Sequence, residues 1–283
     1  MILIADGGST KVDWIALDKN KKEVFRTRTL GLNPAVVSKE ELKNRIINMF
    51  QLINIKDEVS KIYFYGAGCG TPEPVKILHK VMQDVFVNAK IEIAEDLLAA
   101  VYAASQKKPA IVCILGTGSN SCYFDGTTTQ MISPSLGYII MDEASGNYFG
   151  KLLIRDFYYK RMPKNIAKTF NEEYNLDSDN IKFNLYKQPN PNMYLASFAK
   201  FMLAYKDEKY IRKLIKKGFK DFFKYRILPY KKDAKTPIYF IGSIAYFFSD
   251  ILDDVATKNN LKITDIIQRP IDNLLDYHRK HIN

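Results

Sequence analysis

The chain is poor in residues that staple or metallate a fold. Its 283 residues include three cysteines (Cys69, Cys113, Cys122) and three histidines (His79, His278, His281). An odd cysteine count without a CxxC pair gives neither a disulfide framework nor a zinc site, so free buried thiols and no protein-ligated transition metal are expected. No apolar run approaches the roughly 20 residues that span a bilayer, so no membrane partner is expected. The N-terminus lacks a basic region and Asp6 interrupts its first apolar run, which argues against a signal peptide and for a cytoplasmic protein. Neither GxxxxGK[ST] nor GxGxxG occurs, which disfavours the P-loop and Rossmann nucleotide folds. No linker is rich in Pro, Gly or Ser, so tightly joined domains are expected.

Positive charge is abundant. Lys and Arg number 42 against 31 Asp and Glu, a net charge of +11. The lysines are interleaved with acidic residues and thicken mildly from Lys206 to Lys235. No RNA-recognition, zinc-finger or helix-turn-helix signature accompanies them, so a solvated surface is expected and no nucleic-acid partner. A basic cleft would suit an anionic ligand such as a nucleotide. Length and a 47% hydrophobic content suggest about two domains with sizeable cores.

The first half alternates strands and helices. Strands are read at Met1–Ala5, Val12–Leu17 and Glu23–Thr29, joined by short turns as antiparallel neighbours. Leu42, Ile46, Ile47, Phe50 and Ile53 recur at helical spacing and predict one amphipathic helix. A strand at Lys61–Tyr65 runs into Gly66-Ala67-Gly68, and Pro72 and Pro74 open a helix expected to reach Asn88. A strand at Ile91–Ala94 precedes a helix at Glu95–Ser105. The pattern restarts at Lys107-Lys108-Pro109: strand Ala110–Leu115, turn Gly116–Asn120, strand Ser121–Phe124, turn at Gly126 and a third strand at Gln130–Ile132. Two structurally similar halves follow from this repeated pattern. Residues 142–228 read as mostly helical, including Tyr194–Tyr205 and Tyr210–Tyr225. Strand Pro237–Ile241 leads through Gly242-Ser243 into a helix at Ile244–Asn259, and a last helix lies near Ile271–His281. The expected division is residues 1–107, completed by the C-terminal helix 271–283, and residues 108–270 with a helical insertion over about 155–235.

Three glycine turns share one logic: "IADGGSTK", "ILGTGSN" (Ile114–Asn120) and "FIGSIA" (Phe240–Ala245). Glycine permits positive φ and lets a ligand approach without a Cβ in the way. Successive backbone N–H groups form a concave anion site, and a helix N-terminus adds its dipole at Gly242-Ser243. Any one such turn is compatible with a plain hairpin; three at the ends of apolar strands are harder to dismiss as that.

The set resembles the actin-like ATPase superfamily, and within it the BadF/BadG-type ATPase and N-acetylglucosamine kinase family. "DGGSTK" is similar to that family's first phosphate motif, "GTGSN" to its second and "IGSIA" to its adenosine motif. The resemblance implies an α/β fold of two ribonuclease-H-like domains with a nucleotide cleft between them, ATP and Mg²⁺ as cofactors, and transfer of phosphate to a small sugar. Relatives are often dimers, so a homodimer is also an expectation. Carried over residue by residue, Gly7, Gly8, Ser9, Thr10 and Lys11 would surround the β- and γ-phosphates. Asp6 would hold Mg²⁺ through water. Gly116, Thr117, Gly118 and Ser119 would cradle the phosphates from the opposite domain, and Gly242 and Ser243 would face the adenosine.

On the acceptor side, "IEIAEDLLAA" places Glu95 and Asp96 where a strand meets a helix. By position alone, acidic capping of the helix accounts for both. The resemblance implies Asp96 as the base for the attacking hydroxyl, with Glu95 the second candidate. Asn33, before Pro34, fits either an ordinary turn or a sugar-binding asparagine such as the relatives have. By the same resemblance Gly68, in "YGAGCG", would wall the sugar. "SLGYIIMDEASGNYFG" is similar to a family segment that would bring Gly137 and Asp142 to the sugar with Glu143 in support. It departs from the family at Leu136, Tyr138 and Met141, and "RPIDNLLDYH" lacks the Gly-Ala that many relatives carry. The expected activity is phosphorylation of an amino sugar, N-acetylglucosamine first, at its 6-hydroxyl. The alternatives are a BadF-type ATPase activating a partner enzyme, for which the cysteine spacing is poor, and a sugar-sensing regulator.

Overall fold

A computed structural model describes residues 1–281, so the last two positions of the expected helix 271–283 lie outside the described residues. The chain forms two compact units: Met1–Gln106 with the segment from Arg269, and Lys107–Gln268.

In the first unit, β1 (Ile2–Gly7), β2 (Lys11–Leu17), β3 (Glu23–Leu30), β4 (Lys61–Gly66) and β5 (Lys90–Glu95) form one sheet in the order β3-β2-β1-β4-β5. β1, β2 and β3 are antiparallel neighbours; β4 and β5 run parallel to β1. Strand alternation sends Leu3, Ala5, Val12 and Trp14 to one face and Ile4 and Ile15 to the other. Helices α1 (Lys39–Ile47), α2 (Phe50–Asn54) and α3 (Pro72–Val85) cover the first face through Leu42, Leu52, Leu78 and Met82. On the second face lie α4 (Asp96–Ser105) and, from the C-terminal segment, Ile271–His281, which contributes Leu274 and Leu275.

The second unit repeats this plan. β6 (Ala110–Leu115), β7 (Ser119–Phe124), β8 (Thr129–Gln130), β9 (Ile238–Ile241) and β10 (Asp265–Ile267) stand in the order β10-β9-β6-β7-β8, with β6, β7 and β8 antiparallel and β9 and β10 parallel to β6. Between β8 and β9 run α5 (Gly146–Tyr158), α6 (Lys164–Glu173), α7 (Ser178–Tyr186), α8 (Pro191–Ser197), α9 (Ala199–Ala204) and α10 (Lys209–Phe222). The last continues as a π-helical turn, Phe223–Ile227. Phe149, Phe170, Phe198, Phe201, Phe219 and Phe222 are fully buried in this unit's aromatic core.

Several expected elements differ. The helix read over Leu42–Ile53 is two, because Asn48 caps the first and Met49 is extended; Phe50, counted as a core position, is exposed. The helix from Pro72 stops at Val85, since Phe86 leaves helical geometry and the chain must turn into β5. Tyr194–Tyr205 breaks at Phe198, and Ile244–Asn259 becomes α11 (Ser243–Phe247) and α12 (Ser249–Lys258) with a break at Phe248. Each break seats a fully buried ring, Phe198 or Phe248. The turn after β6 is shorter than expected, since Ser119 and Asn120 already pair with Leu115 and Ile114. The strand placed at Gln130–Ile132 lies at Thr129–Gln130, and β10 had no sequence signal beyond its isoleucines.

Candidate functional site

Ligands of open α/β sheets gather beyond the carboxyl ends of parallel strands. At that edge of the first sheet, the pairing register lines up Gly7, Gly66 and Glu95 across β1, β4 and β5. The first glycine turn, the Gly66–Gly70 loop and the Glu95–Asp96 strand-to-helix junction therefore share one edge. Hydrogen bonds knit them: Gly8 N donates to Lys11 O at 2.9 Å and Ala67 N to Gly7 O at 2.7 Å. Gly31 N donates to Thr10 O at 3.0 Å. Asn33, buried at 8% exposure, donates from Nδ2 to Ser9 Oγ at 3.2 Å. A Cβ on Gly68, whose φ is +79°, would stand 2.0 Å from Asn33 Oδ1. The sequence-predicted Gly7–Lys11, Asn33, Gly68 and Asp96 are thus gathered at one end of one sheet.

Burial and neighbouring charges shift the carboxylates here in different directions. Burial, and after it repulsion from Asp13, pushes Asp6 up to about 7 against the pull of Lys11 and Arg269. Burial also raises Glu95. It takes the Cys69 thiol to about 12 with help from Asp96 and Glu95, so Cys69 is unsuited to nucleophilic work. Asp13, unforeseen in the sequence reading, pairs with Asp6 across β1 and β2. Burial pushes it up, but the Arg28 hydrogen bond and the charges of Lys11 and Arg269 hold it below the usual range. Arg28 Nε lies at 2.7 Å from Asp13 Oδ1, Arg269 Nη2 at 2.8 Å, and Lys11 Nζ at 3.7 Å from Oδ2. Strand alternation puts Lys11 and Asp13 on one face, a signal that could have found Asp13; Arg269 lies 256 residues away in sequence.

The corresponding edge of the second sheet carries the other two turns. Gly242 N donates to Ile267 O at 2.9 Å, and a Cβ on Gly242 (φ +115°) would meet Leu115 O at 2.4 Å. Close approach and positive φ both require glycine there. Gly116 and Thr117 are tied to the start of α5 by Gly146 N to Gly116 O at 2.8 Å and Asn147 N to Thr117 O at 3.0 Å. Buried Asp142 accepts from Ser119 N at 3.3 Å and from Asn147 Nδ2 at 2.8 Å. Burial raises its carboxyl and those two bonds oppose the rise. Asp142 thus buttresses the second turn directly. Gly137 (φ +77°) instead shapes the loop before it, its carbonyl accepting from Met141 N at 2.9 Å.

The residues fit a polyphosphate and a divalent cation. A Cβ on Gly116 would meet nothing within 4 Å, so the space beside it is open to a ligand. Ser119 Oγ is buried without a hydrogen-bond partner. Asp6, buried and facing Asp13 across β1 and β2, is a carboxylate whose ionised form a cation would favour. Ser243 opens only the five-residue α11, so the helix-dipole contribution expected there is small. Among the described residues no helix is long and apolar enough to cross a membrane, and no group of three or more His, Cys, Asp or Glu is placed to hold a metal ion.

No protein-family model matches the sequence, and no curated protein does. Solved structures are similar over nearly the whole chain. A protein of Porphyromonas gingivalis, provisionally named an N-acetylglucosamine kinase, is 35% identical over 99% of both chains with a TM-score of 0.91. A provisionally named N-acetylglucosamine kinase of Chromobacterium violaceum is 15% identical over 98% of both chains, TM-score 0.75. A ROK-family glucokinase of Streptomyces griseus, solved with glucose and AMPPNP, is 12% identical over 99% of this chain and 98% of its own, TM-score 0.58. The last two show the fold alone.

Proposed function

This chain belongs to the N-acetylglucosamine kinase and BadF/BadG-type family of the actin-like ATPase superfamily, and from that premise we propose that it transfers the γ-phosphoryl group of ATP to the 6-hydroxyl of an amino sugar, N-acetylglucosamine first. The observation that carries this reading is the row Gly7–Gly66–Glu95, which sets an open phosphate-type turn and the Asp96 carboxylate at one sheet edge.

In this mechanism the Gly7–Thr10 turn lies against the phosphates, the hydroxyls of Ser9 and Thr10 donate to phosphate oxygens, and Lys11 balances their charge. The Gly116–Ser119 turn would lie along the phosphates, and Gly242 and Ser243 would face the adenosine. Asp6 would hold Mg²⁺ through water, and the ion would supply neutralisation of phosphate charge. Asn33 and the Gly68 wall orient the sugar, and the family likeness assigns Gly137 and Asp142 of the second unit to it as well. Asp96 accepts the hydroxyl proton as the sugar oxygen bonds to the γ-phosphorus and the bond to the β-phosphate oxygen breaks, releasing ADP. Phosphoryl transfer asks little more of a protein than positioning and charge stabilisation.

The test is ADP release by the purified protein with Mg-ATP, alone and with N-acetylglucosamine, N-acetylmannosamine, N-acetylmuramic acid, glucosamine and glucose. The reading expects strong stimulation by one amino sugar and a phosphorylated product. Hydrolysis indifferent to every sugar would sink it.

A further inference from the structure

Arg226 is the most deeply buried arginine of the chain, 3% exposed. It lies in the π-helical turn Phe223–Ile227 at the end of α10. Such turns re-aim side chains relative to an α-helix and recur at functional sites. Its carbonyl is fixed by Ser121 Oγ of β7 at 2.8 Å, so the turn is pinned to the second sheet. Its guanidinium reaches three points of the irregular segment after β8. Nη1 donates to Ser133 Oγ at 3.1 Å, Nη2 to Met141 Sδ at 3.1 Å, and Nε lies 3.5 Å from Glu143 Oε2.

Residues 133–143 contain no helix or strand. A second cation, Lys151 of α5, donates from Nζ to Tyr138 O inside the same segment. The tip between these anchors carries Leu136, Ile139 and Ile140, all more than half exposed, and so gains little from burial. Two cations therefore hold the segment together with the bonds that Asp142 accepts from Ser119 N and Asn147 Nδ2, and Arg226 touches it near both ends. Glu143 Oε2 is buried without a hydrogen bond, so the Arg226 charge is what offsets its burial.

We propose that Arg226 is a positioning residue for acceptor binding: it clamps Ser133–Glu143 and so sets Gly137 and Asp142 for the sugar. The inference rests on the kinase reading for the identity of the acceptor. The clamp itself is a statement about this unit alone.

The test compares Arg226→Met and Arg226→Lys with the parent. Hydrogen exchange is read on residues 133–143, and KM for the stimulating sugar and for ATP are read separately. Arg226→Met is expected to speed exchange in that segment while α10 stays protected. It should raise the sugar KM about tenfold, equivalent to about 1.4 kcal/mol, and the ATP KM by clearly less, through the Asp142 bond to Ser119 N. Lysine, keeping the charge without the fork, should fall between. If Arg226→Met folds poorly, Ser133→Ala removes one clamp contact from the segment's side and should move the same readouts less. Unchanged exchange in 133–143 overturns the clamp. Faster exchange with an unchanged sugar KM, or an equal rise in both KM values, overturns its role in acceptor binding. If no sugar stimulates the parent protein, the acceptor assignment falls with the kinase reading, while exchange still decides the clamp.

Discussion

Two glycines of one turn should respond to the same small change in opposite ways. A methyl group on Gly116 meets nothing within 4 Å, and the residue's φ is outside the left-handed region. Alanine there restricts the unfolded chain and should leave stability unchanged or raise it by about 0.4–1 kcal/mol. A methyl on Gly118 would stand 2.8 Å from Asp142 Oδ2. The carboxylate would have to leave Asn147 Nδ2 and Ser119 N, which it now accepts from at 2.8 and 3.3 Å. Overpacking and weakened charge-assisted bonds together should cost about 2–3 kcal/mol. For a unit of this size that lowers Tm by roughly 4–12 °C. Nucleotide binding should not follow stability. The Gly116 methyl occupies the space in which phosphate would meet backbone N–H groups; one charged hydrogen bond lost is a fall in affinity of about 10–100-fold. Thermal unfolding and calorimetric titration with AMPPNP, a non-hydrolysable nucleotide, read the two effects apart. Gly116→Ala with parental stability and parental nucleotide affinity would refute the phosphate cradle. Gly118→Ala as stable as Gly116→Ala would refute the packing described around Asp142.

Three further outcomes follow from the first unit. Gly68→Ala places a Cβ 2.0 Å from Asn33 Oδ1 at φ +79°, and should destabilise by about 2–3 kcal/mol in urea unfolding; a stable variant would contradict that contact. Asp6 has a raised folded pKa of about 7, so between about pH 4 and 7 the native state keeps a proton that the unfolded chain has shed, and stability falls as pH rises through that window. Asp6→Asn should flatten this slope and gain about 1–2 kcal/mol over the parent at pH 8 in the ligand-free protein, discounted for partial exposure; equal urea midpoint differences between pH 5 and 8 in both proteins would reject it. Asp13 does not mask the effect, because its lowered pKa gives stability that is lost only below the ordinary carboxylate range. Cys69→Ser should keep turnover within about twofold and native Cys69 should resist alkylation at pH 8, given a thiol near 12; fast labelling would show an accessible thiolate.

Gly7-Gly8 was legible because two glycines close an apolar run, and the repeated strand–turn–strand pattern announced the topology shared by both sheets. Gly242 was legible as a turn, and the structure adds the reason, a carbonyl 2.4 Å from any Cβ. Helix breaks at Met49, Phe198 and Phe248 were not legible, since apolar spacing continues through them and tertiary packing decides where the chain turns. β10 depends on pairing with β9, a long-range contact absent from local pattern. The same holds for the clusters around the site. Arg269 reaches Asp13 from the far end of the chain, and Arg226 stands in a lysine-rich stretch that reads as solvated surface. Asp142 was singled out in the sequence as a candidate; its bonds to Ser119 and Asn147, in a stretch with positive φ at Asp142 and Ala144, carry no propensity signal.

The central claim is that Asp96 takes the proton of a sugar hydroxyl during transfer from ATP. Its most direct test is single-turnover formation of sugar phosphate by Asp96→Asn, with Glu95→Gln as the neighbouring control and nucleotide affinity measured in both. The account predicts a loss of about 10²–10⁴-fold in the transfer rate for Asp96→Asn at unchanged nucleotide affinity, and a far smaller loss for Glu95→Gln. Near-parental transfer by Asp96→Asn, or the large loss falling on Glu95→Gln instead, would contradict it.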